Sequence, residues 1–221
     1  MLRKSEGHQA TKVLRLKPGD ALIVTDGFGK AAVSNIQSIT KNSVFVIPHY
    51  MLESNSACQS KLHIAISLLK NTERLEWFVE KAVELAIDRI TPLHCQHTVK
   101  TNLRTDRLQS IIDSACKQSQ RDRFPTLSPL TKFENFISEK TNDTKLIACC
   151  LDAKPKFALN KVLPANTNTT VVIGPEGDFS QMEVELAQKH NFVAASFGDA
   201  RMRTETAGLF AAAYFYSINC F

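Results

Sequence analysis

Two rhythms of apolar residues divide this chain. Over the first fifty or so residues the apolar positions come in short runs that read as strands, at Lys12 to Leu16, Ala21 to Thr25, Ala31 to Ile39 and Ser43 to Pro48. Pro18-Gly19-Asp20, Asp26-Gly27-Phe28-Gly29 and Thr40-Lys41-Asn42 set them apart. The Asp-Gly step predicts a hairpin, because both central residues of a tight type I′ turn take positive φ. Several such strands in so short a stretch predict a small barrel. The polar segment Glu53 to Ser60 reads as the linker that ends it.

Beyond the linker, strands alternate with helices, the pattern of a parallel sheet covered on both faces. His63 to Leu69 is the first expected strand. Leu75, Phe78, Val79, Ala82, Leu85 and Ala86 then recur at helical spacing through Glu73 to Ile87, with Asn71 or Thr72 placed to cap. Arg107 to Gln120 reads as a second helix, Lys145 to Leu151 as a strand and Val171 to Ile173 as a short buried strand ending at Gly174. Ser180-Gln181-Met182-Glu183 is a capping box, with Phe179 and Val184 at the positions of a hydrophobic staple, so a helix begins there. It is expected to reach about His190, where Asn191 can take the left-handed position, before a strand at Val193 to Phe197. Thr204 to Ile218 closes the chain as an apolar, Ala-rich helix.

Composition narrows this picture modestly. In 221 residues, 27 basic side chains against 22 acidic ones leave a net charge of +5, which favours a polyanionic partner without the block of charge expected of a basic tail. The six cysteines include no CxxC pair and no histidine at zinc-finger spacing, so no metal site is expected. Adjacent Cys149 and Cys150, inside the apolar run Leu146 to Leu151, read as small buried hydrophobes of a reducing compartment. Met1 to Ala10 carries charges and no apolar core, so no secretory signal is read there. The apolar stretch Ala207 to Ile218 is far shorter than the roughly 20 residues that span a bilayer. A cytoplasmic protein without a membrane partner is the expectation.

Candidate chemistry concentrates in two glycine-containing turns, each after a buried strand, where open α/β sheets bind ligands. In Ile173-Gly174-Pro175-Glu176-Gly177-Asp178-Phe179-Ser180 the glycines let the backbone approach a ligand and the proline stiffens the turn. The spacing matches neither GxGxxG nor a Walker loop, which disfavours nucleotide hydrolysis. Phe197-Gly198-Asp199-Ala200-Arg201-Met202-Arg203-Thr204-Glu205-Thr206-Ala207 packs two arginines, a glutamate and two hydroxyls immediately before an apolar helix. Either turn could instead be a plain connection, with Arg203 and Glu205 paired at an interface.

Together the two segments, IGPEGDFSQME and FGDARMRTETA, resemble the ribosomal small-subunit RNA methyltransferase E family, whose pattern is I-G-P-E-G-G-F-S-x-x-E followed by L-G-x-R-I-L-R-T-E-T-A. His8 to Leu16 with Gly19-Asp20 and Asp26-Gly27, Glu80 to Leu85 with Ile90 to Leu93, and Ala115 to Arg121 with Pro125 resemble further blocks of that family, so nearly the whole chain is covered. Three departures stand out: Asp178 for the second loop glycine, Lys117 for a glutamate before Gln118, and Arg201 one place late with Ala200 before it.

The resemblance implies an α/β protein of two domains. Residues 1–56 would form a PUA-like RNA-binding β-barrel, and residues 57–221 a SPOUT α/β-knot domain whose C-terminal segment threads a deep trefoil knot. It implies a homodimer that binds S-adenosyl-L-methionine and methylates N3 of a uridine in 16S rRNA, with that rRNA or the small ribosomal subunit as partner. The cofactor would contact Leu151, Ile173, Gly174, Glu176, Gly177, Phe197, Gly198, Met202, Arg203 and Thr204. Arg203 would stabilise the uracil as it becomes anionic, and Glu205 would orient the arginine or receive the proton. Lys12, Arg15, Lys17, Lys100, Arg104, Arg121 and Arg123 are the candidate RNA contacts. Two other readings compete: a SPOUT methyltransferase acting on tRNA or a ribose 2′-hydroxyl, and a non-catalytic RNA-binding assembly factor.

Overall fold

A computed structural model of the chain describes residues 1–2, 4–41, 43–53, 58–150 and 155–220. The chain divides into two compact units, Met1–Ser56 with Gln120–Arg123, and Ala57–Ser119 with Phe124–Phe221.

The first unit opens with a short helix α1 (Lys4–His8) and a π-helical turn over Gln9–Val13. Strands β1 (Ala21–Thr25), β2 (Ala31–Ile39) and β3 (Val44–Leu52) follow as an antiparallel sheet in that order. The strand expected over Lys12 to Leu16 does not form. Leu14 N bonds back to Gln9 O at 3.0 Å, Arg15 takes φ +56°, and Leu16 N bonds to Ala10 O at 2.9 Å, so the segment curls onto itself. The expected hairpin at Asp26-Gly27 is present as a longer loop, in which the Asp26 carboxylate accepts from Phe28 N and Lys30 N. Those two bonds hold the Asp26 carboxyl below its usual range. The excursion Gln120–Arg123 completes this unit: Asp122 O accepts from Gly29 N at 3.0 Å and from Thr25 Oγ1 at 2.8 Å.

The second unit runs β4 (Leu62–Ser67), α2 (Thr72–Glu84), β5 (Arg89–His94), α3 (Thr105–Gln118), β6 (Thr126–Leu127), β7 (Thr131–Lys132) and α4 (Phe133–Ile137). It continues through β8 (Thr144–Ala148), β9 (Lys156–Ala158), α5 (Leu159–Val162), β10 (Thr169–Ile173), α6 (Gln181–Lys189), β11 (Val193–Ser196) and α7 (Thr204–Asn219). Its strands make one parallel sheet in the order β6-β5-β4-β10-β8-β11-β9, with β7 pairing β5 beyond β6. Successive side chains of a strand point to opposite faces, and here both faces are apolar. Ile64 and Ile66 of β4, Leu146 of β8, and Val171 and Ile173 of β10 pack with Phe78 and Phe215. Ala65, Ile147 and Val172, the alternate residues, pack with Phe133, Phe179, Val184 and Phe192.

Local signals placed the starts of α2 and α6 and the end of α6. The Asn71 side chain accepts from Glu73 N and starts α2, and Asn191 takes φ +67° after α6. The Ser180 capping box closes in both directions, with Phe179 and Val184 buried beside it. Strand β5 carries Pro92, which has no N–H to donate. It falls between the stretch of β5 that pairs β6 and the stretch that pairs β7, so the missing donor interrupts nothing. Cys150 is exposed rather than buried because β8 ends at Ala148; Cys149 is buried as expected. Cys58 and Cys220 form a disulfide that ties the approach to β4 to the end of α7. Of the expected linker, residues 54–57 lie outside the described ones. Among the described residues no helix is long and apolar enough to cross a membrane.

The contact between α2 and α7 depends on Gly208. A Cβ at that position would come within 2.7 Å of Phe78 Cε2 and 3.2 Å of Ile66 Cδ1, both in the close-packed core. Gly208→Ala therefore should destabilise the second unit by about 1–3 kcal/mol, seen as a lowered thermal midpoint; an unchanged midpoint would show that the helices part freely.

A second consequence concerns His63 on β4, whose Nε2 lies 2.8 Å from Thr91 Oγ1 and whose ring meets Phe136 edge-on. Burial, assisted by Arg89 and opposed by Asp143, pushes its pKa down from the ordinary 6.5 to about 4. The folded imidazole stays neutral where the unfolded one is already protonated. Its contribution to stability is thus full above pH 6.5 and is lost as pH falls toward 4. Urea midpoints measured across that window should decline, and the decline should be shallower in His63→Gln.

Candidate functional site

The functional region is set by register. Ile173 at the end of β10 lies opposite Ala148 at the end of β8, which in turn lies opposite Ala195 of β11. Three neighbouring parallel strands therefore stop within one residue of the same level. Adjacent strands are about 4.8 Å apart, so the two glycine turns and the segment leaving β8 emerge side by side at the carboxyl edge, the customary ligand position of an open α/β sheet.

The first turn is a braced structure. Gly174 is buried, and a Cβ there would stand 3.0 Å from the Phe179 ring. Three acidic side chains then bind backbone N–H groups of three other loops. Glu176 accepts from Lys70 N beyond β4 at 3.1 Å, and Asp178 accepts from Cys150 N beyond β8 at 2.8 Å. Glu183, in the first turn of α6, accepts from Gln96 N beyond β5 at 2.8 Å while also holding Ser180 N and Ser180 Oγ. His97 Nδ1 donates to Asp178 O at 3.0 Å. Beneath these bonds Ser67 Oγ and Thr98 Oγ1 lie 2.8 Å apart, and Thr98 Oγ1 accepts from Cys95 N.

The second turn is more open. Gly198 has φ +116°, a conformation L residues rarely adopt, and nothing lies within 4 Å of where its Cβ would stand. Phe197 is half-buried, its ring 5.6 Å from that of Phe210. Arg203 is the N-cap of α7, with its carbonyl accepting from Ala207 N and its side chain exposed. Met202 is half-buried and Thr204 buried.

Glu205 does not pair with Arg203. Its Oε1 faces Arg74 Nε of α2 at 3.7 Å, and its buried Oε2 has no hydrogen-bond partner. The helix packing explains the pairing: Arg74 lies one turn before Phe78, and Glu205 one turn before Gly208, where α2 and α7 touch. A buried carboxylate oxygen without a donor is costly unless a ligand completes it.

The structure places Ile173, Gly174, Glu176, Gly177, Phe197, Gly198, Met202, Arg203, Thr204 and Glu205 at one edge of the sheet, while Leu151 lies outside the described residues. No signal in the sequence marks Arg74, Gln96 and His97, which carry no local motif and are recognised only through their partners. Burial pushes the Cys95 thiol up to about 12 and the Cys149 thiol up to about 11, so neither serves as a nucleophile near neutral pH. A cleft of about 430 Å³ between α2 and α3, lined by Glu80, Lys81, Glu84 and Arg107 among others, shares no lining residue with either turn.

The candidate RNA contacts fall in both units. Lys12, Arg15, Lys17 and Arg123 are exposed and Arg121 is half-buried in the first. Arg104 is exposed and Lys100 half-buried in the second, just before α3.

Comparison with known proteins agrees with the geometry. Residues 56–216 match the RNA methyltransferase domain family and residues 2–48 the RNA methyltransferase PUA domain. The chain is 26% identical, over 218 residues, to ribosomal RNA small subunit methyltransferase E of Bacillus subtilis, covering 93% of this chain and 85% of that one. The crystal structure of a "probable rRNA-methyltransferase" from Porphyromonas gingivalis superposes with TM-score 0.91 at 31% identity, covering 99% and 92% of the two chains. The structure of a "putative methyltransferase" from Legionella pneumophila, "in complex with the bound cofactor SAM", superposes with TM-score 0.86 at 29% identity, covering 98% and 90%.

The bracing bonds differ in burial, and so should their removal. Glu183 is 4% exposed, and Glu183→Ala leaves Gln96 N and Ser180 N without their acceptor. Its unfolding free energy in urea should fall by about 1–3 kcal/mol, whereas Glu176→Ala, at an exposed position, should lose less. Equal losses would refute this ranking.

Proposed function

The chain belongs to the RNA methyltransferase family, in the ribosomal RNA small subunit methyltransferase E group, and from that membership we propose that it methylates N3 of a specific uridine in 16S rRNA. It is an S-adenosyl-L-methionine-dependent enzyme. The observation that carries this reading is the level ending of β10, β8 and β11, which sets the two glycine turns on either side of the β8 exit.

The residues present fit an adenosyl donor. Gly198 leaves open space beside its turn, Gly174 packs against Phe179 too closely for a side chain of its own, and Phe197, half-buried beside Gly198, adds an apolar side chain. Ile173, Gly174, Glu176, Gly177, Phe197, Gly198, Met202, Arg203 and Thr204 would hold the donor, and Leu151 belongs to the same expected set. When bound, the sulfonium supplies an electrophilic methyl group for in-line transfer.

The remaining chemistry belongs to the protein. Uridine N3 must lose its proton as it attacks, and the uracil ring then carries negative charge. Arg203, exposed at the N-terminus of α7, stabilises that charge. Glu205 is held by Arg74 through one oxygen and offers the other, buried and unpartnered, to a proton. This favours the proton-accepting role over the orienting one. Fixing these groups on a packed helix supplies most of the acceleration through alignment.

Lys12, Arg15, Lys17, Lys100, Arg104, Arg121 and Arg123 would position the RNA by its phosphates. The first unit serves as the RNA-docking domain, a PUA-like β-barrel over residues 1–56, and residues 57–221 as the SPOUT domain with its C-terminal trefoil knot. Two copies assemble as a homodimer in the cytoplasm, acting on 16S rRNA or the small ribosomal subunit. The all-parallel sheet and the family membership support this architecture.

Two measurements test the function. Mass spectrometry of rRNA and tRNA nucleosides from cells with and without the gene should show loss of 3-methyluridine from rRNA alone; loss of a ribose-methylated or tRNA nucleoside instead would replace this reading. In the purified enzyme, Arg203→Ala should lower kcat by about 10²–10³-fold while the thermal midpoint stays at the wild-type value, because the side chain is exposed. Near-normal turnover would remove Arg203 from the mechanism.

A further inference from the structure

Asp178 stands where the resembling family has glycine, and the backbone there still has a glycine-like conformation, φ +61°. An L residue is disfavoured in that region, aspartate less than most because its short polar side chain can bond locally. Here it does so at both carboxylate oxygens. Oδ1 accepts from Phe179 N at 2.8 Å, and Oδ2 reaches across to Cys150 N at 2.8 Å. Asp178 N donates to Pro175 O, and Asp178 O accepts from His97, so the residue is fixed from four directions.

The bond to Cys150 falls at a particular place. Ladder pairing of β8 with β10 and with β11 ends at Ala148, because both neighbours turn away into the glycine-bearing loops. The chain leaving β8 therefore passes beyond the sheet's own hydrogen bonds just where the donor cradle begins. The Asp178 side chain continues the ladder by one more bond, to a residue two places past the last pair. A glycine would accept the backbone conformation without strain but could not make that bond.

We propose that Asp178 is a positioning residue for the methyl donor, its carboxylate latching the start of the loop after β8 onto the Gly174–Gly177 turn and so fixing the spacing of the cradle. This rests on the methyltransferase reading above. Loss of the latch loosens one wall of the cradle without removing any group that touches the reacting atoms.

The test compares wild-type protein with Asp178→Gly and Asp178→Asn. In ligand-free protein, NMR hydrogen exchange at the Cys150 amide should quicken by about tenfold in Asp178→Gly, the loss expected of one charge-assisted bond. Calorimetric titration with S-adenosylhomocysteine should show a Kd raised by about tenfold in the glycine variant, and largely restored in the asparagine variant, which keeps one acceptor. The thermal midpoint of Asp178→Gly should fall little, since relief of strain at the positive φ offsets the lost bonds. Unchanged Cys150 exchange together with wild-type affinity in Asp178→Gly would overturn the latch alone. So would a markedly lowered midpoint and weakened binding that asparagine does not rescue, which would mark Asp178 as merely structural. Failure of the wild-type protein to bind S-adenosylhomocysteine would sink the methyltransferase reading and the latch with it.

Discussion

Carboxylate-to-amide bonding around the Gly174–Ser180 turn is the constraint on which the site depends. A parallel sheet satisfies its backbone groups only as far as its strands run side by side, and the loops beyond the carboxyl edge must find partners elsewhere. Glu176, Asp178 and Glu183 provide them, each binding an N–H from a different neighbouring loop. Bonds to ionised acceptors are shorter and stronger than neutral ones, so three of them hold loops that few apolar contacts could hold. The segment is thus less a flexible connection than a keystone between the exits of β4, β5 and β8.

A second constraint works from the helical side. The absence of a side chain at Gly208 lets α7 close on Phe78, and that approach brings Glu205 opposite Arg74. Packing and chemistry are therefore set by the same contact. The carboxylate is buried by the helix interface that also supplies its cation, and one of its oxygens is left without a hydrogen-bond partner.

What could be read in the sequence was local. Ser180 and Glu183 are three residues apart and announce a helix start without outside help, and Asn71 does the same for α2. The two glycine turns were legible as a pair only through family resemblance, since nothing in either segment says that β8 lies between them. Strand β5 was obscured by Pro92, tolerable only because two short strands share its outer edge. Lys12 to Leu16 has the apolar content of a strand, yet the bond from Leu16 N to Ala10 O shows that the segment prefers its own backbone. Arg74 and Glu205 are distant in sequence and carry no motif between them, so their pairing could come only from three dimensions.

The short excursion Gln120–Arg123 bears on how such a protein can be taken apart. The carbonyl of Asp122 receives the Gly29 amide and the Thr25 hydroxyl, so the β1–β2 hairpin is finished by a stretch encoded deep within the other unit's sequence. An isolated fragment of the first fifty-odd residues would leave those two donors to solvent. The small unit therefore draws on a stretch that a cut near residue 56 would leave behind.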